Sequence, residues 1–142
     1  MLDTRRAFCA HLTASGLFAT VAPLTSDDDL ATTSKDLPAC FVAYAGGTLA
    51  KREAATLHVF VPGFAPEVGP DVNAADDALG LTQQVADYLK DEHIWYADPE
   101  SEGQTGRAWQ IDLSDEEGLQ VRAGRFREKH AFYVLAVPVT EV

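Results

Sequence analysis

The sequence predicts an α+β fold: a mostly antiparallel sheet with two helices packed on one face, in the order α-β-β-α-β-β-β. Three observations carry this. Two segments space their apolar residues at a helical period, several runs are alternating or continuously apolar over strand length, and the strand-like runs follow one another through polar turns. Strands linked in that way pair antiparallel, and helices then cover one face. A length of 142 residues supports a single domain, and an apolar share of 46% fills a core without a disulfide or a metal.

The first helix starts near Asp3 or Thr4, either of which can cap it. Phe8, Leu12, the Leu17/Phe18 pair and Ala19 form its apolar stripe. Gly16 weakens it by roughly 1 kcal/mol relative to Ala, and Pro23 ends it. A polar loop, Thr25–Asp36, follows. Its Asp27-Asp28-Asp29 run lacks the alternating ligands and closing Glu of a calcium loop. The continuous apolar run Leu37–Ala45, closed by Gly46-Gly47, predicts a strand buried on both faces. Thr48–Glu53 makes a polar tip carrying Lys51 and Arg52. Thr56–Val61 returns as the hairpin partner, with His58 out of phase with Leu57, Val59 and Val61.

The Pro- and Gly-rich stretch Pro62–Pro70 breaks regular structure. Asn73 then caps a helix from about 74 to 90, with Asp76 and Asp77 in its first turn and Ala78, Leu81, Val85, Tyr88 and Leu89 on its buried face. Ile94-Trp95-Tyr96 fits a short strand, and Pro99–Gly106 is an acidic connector. Trp109, Ile111 and Leu113 alternate as a half-buried strand. After the turn Ser114–Gly118, Leu119, Val121 and Ala123 return as its partner. Ala131–Val137 is the last strand, and Pro138, which cannot donate to a ladder, marks its end or a sheet edge.

Against 11 Lys and Arg stand 22 Asp and Glu, a formal charge of −11. That balance excludes an unaided duplex binder, which must neutralise phosphates with cations, and a surface that docks on anionic lipid. No apolar run of roughly 7–15 residues follows Arg5 and Arg6, so no signal peptide is expected, and nothing approaches the roughly 20 apolar residues of a membrane span. Cys9 and Cys40 are accordingly expected as reduced, buried thiols.

Catalytic patterns are missing. The sequence has no phosphate loop, no Gly-x-Gly-x-x-Gly, no His-Glu-x-x-His and no Gly-x-Ser-x-Gly. Cys9 and His11 are two apart, which on a helix points them away from each other. His11, His58, His93 and His130 are scattered without zinc-ligand spacing, and Asp91-Glu92-His93 reads as a solvated helix end. No enzyme activity, metal or other cofactor is expected.

Charge placement says more. Glu67–Glu117 holds 14 acidic residues against Lys90 and Arg107 alone, whereas Arg122, Arg125, Arg127 and Lys129 stand close together with a single acid, Glu128. Acidic and basic patches on different sides suit head-to-tail contacts between copies that close into a ring. The candidate subunit or partner interface is therefore Lys51, Arg52, Arg122, Arg125 and Arg127.

The N-terminal amphipathic helix, the run Leu37–Gly47, the strand Thr56–Val61, the helix Asn73–Lys90 and the close on Ala136-Val137-Pro138-Val139 together carry a likeness. Their order resembles the tail terminator and tail completion proteins of tailed bacteriophages, closest to small tail proteins of Mu-like phages and prophages, over most of the chain. The resemblance implies a structural virion protein without catalytic residues. Such proteins form a ring, typically of six subunits, at the head-proximal end of the tail tube. The ring stops tube growth and offers a surface to the neck or head–tail connector. The resemblance thus implies a homo-oligomer, a tube protein and a neck protein as partners, assembly in the host cytoplasm, and a genome that passes through the lumen without specific binding. An acidic lumen suits that passage because it repels the DNA backbone. Two other readings stay open: a small ligand-binding protein or enzyme with a helix–sheet pocket, using His58 and an inward carboxylate such as Asp112, or an acidic inhibitor or immunity protein that masks a basic partner.

Overall fold

The computed structural model describes residues 2–30, 38–63, 72–97, 106–112, 118–126 and 130–142. Helix α1 (Leu2–Ala14) leads to β1 (Thr20–Pro23), a 3-10 turn (Asp27–Leu30), β2 (Ala39–Thr48) and β3 (Ala54–Pro62). Helix α2 (Val72–Asp91) is followed by β4 (Ile94–Tyr96), β5 (Ala108–Ile111), β6 (Gln120–Phe126) and β7 (His130–Glu141). The seven strands form one sheet in the order β1-β2-β3-β7-β5-β4, with β6 added beside β7. Among the described residues only β1 and β2 run parallel. The chain thus has the α+β fold that its sequence predicts, with the short strand expected over Ile94–Tyr96 present as β4 and a further short strand, β1, added.

Alternation along β3 decides which face is the core. Leu57, Val59 and Val61 are fully buried, whereas His58 and Phe60 between them are half-buried. The register sets Leu57 opposite Val137 and Val59 opposite Leu135, so β3 and β7 offer one continuous apolar face. Phe8 and Leu12 of α1 and Val85 and Leu89 of α2 pack on it in a single cluster. Each such side chain contributes about 1.5–3 kcal/mol on leaving water. Both helices lie on this one face.

Helix α1 is shorter than its apolar stripe predicts. Gly16 adopts φ 72°, and the backbone N–H groups of Ser15 and Gly16 turn back to the Leu12 and Thr13 carbonyls. A left-handed glycine ends a helix, so Leu17 and Phe18 reach the core from beyond it and Thr20–Pro23 pairs with β2 instead. Asp3 and Thr4 sit inside the first turn rather than capping it. The aspartate-rich loop contains a local turn: Asp29 accepts from the Thr25 and Ser26 backbone N–H groups at 2.9 and 3.2 Å. The backbone bond from Thr25 leads the causes that hold its carboxyl below the ordinary range. The strand expected over Leu37–Ala45 runs on through Gly46-Gly47 to Thr48, with a register shift between Tyr44 and Gly46. Helix α2 starts at Val72, so Asn73 falls inside its first turn rather than capping it, and no acidic residue lies in that turn. The connector Pro99–Thr105 and the side chains of Asn73 and Asp76 lie outside the described residues.

Strand pairing in the C-terminal third also differs from the sequence expectation. Strands β5 and β6 do not pair with each other. Both pair with the same edge of β7, β6 along its first half (Ala136 back to His130) and β5 along its end (Val139–Glu141). Pro138 sits where one partner gives way to the other, so β7 continues to Glu141 in the middle of the sheet rather than ending at the proline. The Asp112 N–H donates to the Pro138 carbonyl at 3.0 Å, but proline has no N–H to return. The β5 ladder stops there. Leu113 and the turn to Glu117 lie outside the described residues.

Candidate interaction surface

The sheet face turned away from the helices is the feature that the packing leaves over. Parity along the register assigns Phe60, Phe132, Val134, Ala136 and Pro138 to it, beside His58. Phe60 and Phe132 are half-buried and lie with ring centroids 5.7 Å apart; His58 meets Phe60 edge-on at 6.2 Å. Strand β6 extends the face: Gln120 opposes Ala136, Arg122 opposes Val134, and Gly124 opposes Phe132. A Cβ at Gly124 would run into the Phe132 ring, so glycine is what lets that ring lie across β6. A cleft of about 340 Å³ opens here, lined by His58, Gln120, Val121, Arg122, Val134 and Ala136. Burial, and next the Arg122 guanidinium, push the His58 imidazole below its ordinary value.

The expected interface residues do not form one patch. Lys51 and Arg52 are exposed at the β2–β3 tip, beside Ala54, which pairs with Thr140 near the end of β7. Arg125 pairs with Ala131, nine residues away along β7, or about 30 Å at the rise of a strand. Arg125 is in β6 itself. Arg122 and Arg125 are three positions apart on that strand, so they point to opposite faces. Arg127 lies outside the described residues. Among the described residues of that expected interface, Arg122 alone stands on the sheet face turned away from the helices, and no described carboxylate pairs with it.

His58 and Asp112, the residues of a helix–sheet pocket reading, line separate clefts. Asp112 is exposed and borders a cleft of about 230 Å³ with Gly46, Gly47, Thr56 and Pro138. His58 faces away from the helices, and the helix–sheet interior is filled by fully buried Trp109, Leu57, Leu89 and Leu135. The thiol and imidazole of Cys9 and His11 form no pair. His11 Nε2 donates to the Glu92 carbonyl at 2.7 Å, and its ring stacks on Trp95 with centroids 4.8 Å apart. Burial pushes the Cys9 thiol up to about 11 and the Cys40 thiol up to about 12, so neither is an activated nucleophile. Among the described residues no group of three or more His, Cys, Asp or Glu is placed to hold a metal ion, and no helix is long and apolar enough to cross a membrane.

The polar network that sequence reasoning missed lies at the other end of the core. Buried Thr4 donates to Glu53 Oε2 at 2.6 Å and accepts from Trp109 Nε1 at 3.0 Å. Burial opposes the charge on Glu53, but hydrogen bonds, with that from Thr4 foremost, prevail and hold its carboxyl below the ordinary value. Arg107 bridges Glu141 at 2.9 Å and Asp3 at 3.1 Å and lies 4.9 Å over the Trp109 ring. Its bond to Glu141 is the main cause that lowers the Glu141 carboxyl. These contacts tie α1 to β3, β5 and β7. They hold the fold together rather than await a ligand. No protein-family model matches the chain, and no curated protein is significantly similar to it.

Proposed function

We propose that this chain is a structural protein of a phage tail, a terminator that assembles head to tail into a ring, of six copies as in the proteins it resembles, at the head-proximal end of the tail tube. In this reading it stops tube growth, joins the tail to the neck protein and lets the genome pass through its lumen. The observation that carries it is the one-sided packing of the sheet. Both helices cover one face, and the other keeps half-buried Phe60 and Phe132 with Arg122 beside them. A face that differs from the opposite side of the molecule favours heterologous contacts, which form a ring where the rotation from copy to copy closes. A charge of −11 agrees with a lumen that repels the DNA backbone.

The test is deletion of the protein from assembling tails, with tail length read by electron microscopy. Tubes that overgrow, or tails that fail to join heads, are the expected result. Tails of normal length that join heads normally would remove the terminator role. A monomer held by one basic partner would favour the inhibitor reading instead.

A further inference from the structure

Helix α2 turns Val85 and Leu89 into the core. Asp87 and Asp91 each follow by two residues, about 200° round the helix, and stand fully on its solvent side one turn apart. Among the described residues neither pairs with a cation, and Lys90 is the single basic residue in the last turn. Across the sheet, on the opposite side of the molecule, Arg122 stands over the cleft with His58 and likewise lacks a counter-charge among the described residues. Among the described residues, the molecule therefore carries carboxylates without a cation on its helical side and, on its sheet side, a guanidinium without a carboxylate over a cleft lined by His58, Val134 and Ala136.

We infer that the sheet face turned away from the helices receives the solvent side of α2 from a second copy of this chain, with Arg122 of one copy between Asp87 and Asp91 of the next. This rests on the head-to-tail reading above and gives it its two surfaces. A guanidinium presents a planar fork of donors that fits a carboxylate. Carboxylates one turn apart, about 5–6 Å along the axis, both lie within its reach. Half-buried Phe60 and Phe132 supply the apolar area that exposed ion pairs cannot replace. Because the two surfaces lie on opposite sides of one molecule, the contact repeats and does not close on itself as a two-fold dimer.

Charge reversal tests it by sedimentation of the full chain from about 1 µM to about 1 mM at about 0.05 M salt, where screening is weak. R122E alone and D87K/D91K alone should each associate at least about tenfold more weakly than the natural chain. An equimolar mixture of the two should recover association, because each reversed surface then meets its complement. Recovery on mixing also shows that both variants are folded. Natural association that ignores both reversals, or variants that stay apart when mixed, overturns this contact and leaves the ring itself standing on the natural chain's mass. A natural chain that stays monomeric throughout the range overturns the contact and the self-assembly beneath it. Tail length on deletion reads the terminator role separately.

Discussion

Thr4 and Glu53, 49 residues apart in sequence, share a buried hydrogen bond of 2.6 Å that fastens α1 to the start of β3. The same hydroxyl oxygen accepts from Trp109 Nε1, so one side chain bonds a buried carboxylate and a buried indole at once. Thr4→Val keeps the shape and removes both bonds. Each buried group left without its partner costs about 1–3 kcal/mol, so a loss of about 2–6 kcal/mol is expected in urea unfolding. Thr4→Ser, which keeps the hydroxyl, should lose less than half of that. Equal losses from the two variants would show that packing of the methyl group, not the hydrogen bonds, holds this corner.

Gly124 is a packing requirement of the open face. The Phe132 ring occupies the place where a side chain at 124 would begin. Gly124→Ala should push the ring off β6 and cost about 1–3 kcal/mol, as overpacking does. The double variant with Phe132→Ala should show a smaller loss than the two single losses added. Strict additivity would mean that the ring and the glycine do not press on each other.

Much of this was legible in the sequence, and the exceptions share a physical cause. The β3 alternation of Leu57, Val59 and Val61 against His58 declares both the strand and its buried face. Alternation names no partner, however, so Trp109–Ile111 and Val121–Ala123 read as a hairpin although each pairs with β7. Leu17, Phe18 and Ala19 continue the helical period of Phe8 and Leu12 by coincidence, and only the positive φ of Gly16 breaks it. Glu53 lies next to Lys51 and Arg52 in what reads as a solvated tip. Its burial depends on Thr4 and Trp109, whose closeness no local pattern encodes. Arg122 was readable as a candidate, but its separation from Lys51 and Arg52 needed the register of β7.

Stability should fall in mild acid through two histidines. Burial is the main cause that depresses both His11 and His58 from the ordinary value of 6.5. The folded chain holds them neutral while the unfolded chain takes up protons, so their contribution is complete above pH 6.5. It is lost as pH falls from there through the lower folded values. His11→Phe should flatten the decline between neutrality and about pH 5 in chemical unfolding curves. Arg122→Gln should raise the His58 titration midpoint, followed by NMR, because it removes the second of its two causes. A His58 midpoint that does not move would separate the two residues electrostatically.

Thiol chemistry gives a sharper reading of the same core. With values pushed up to about 11 and about 12 by burial, Cys9 and Cys40 hold their protons at pH 8, and a thiol reagent should modify neither in the folded chain within minutes. In urea without reductant both should react, giving two thiols per chain. A count of zero would mean that they are joined as a disulfide in the isolated protein.

Duplex DNA should not bind the isolated protein at physiological salt. Affinity for a duplex grows with the number of phosphates neutralised, and a stripe of cations along one surface is what supplies it. Here Lys51 and Arg52 lie at one end of the sheet, Arg125 at the other, and Arg122 on the opposite face of β6 from Arg125. The distance between the ends, about 30 Å, exceeds the Debye length of about 8 Å at 0.15 M salt, so the clusters do not reinforce one another. Around them the charge of −11 repels the backbone. A gel-shift titration at about 0.15 M salt should show no complex up to about 100 µM protein, weaker than the usual non-specific range of about 1–100 µM. Micromolar binding there would require a cationic path formed by residues beyond those described, and it would overturn the reading of the lumen as a repelling surface through which the genome slides.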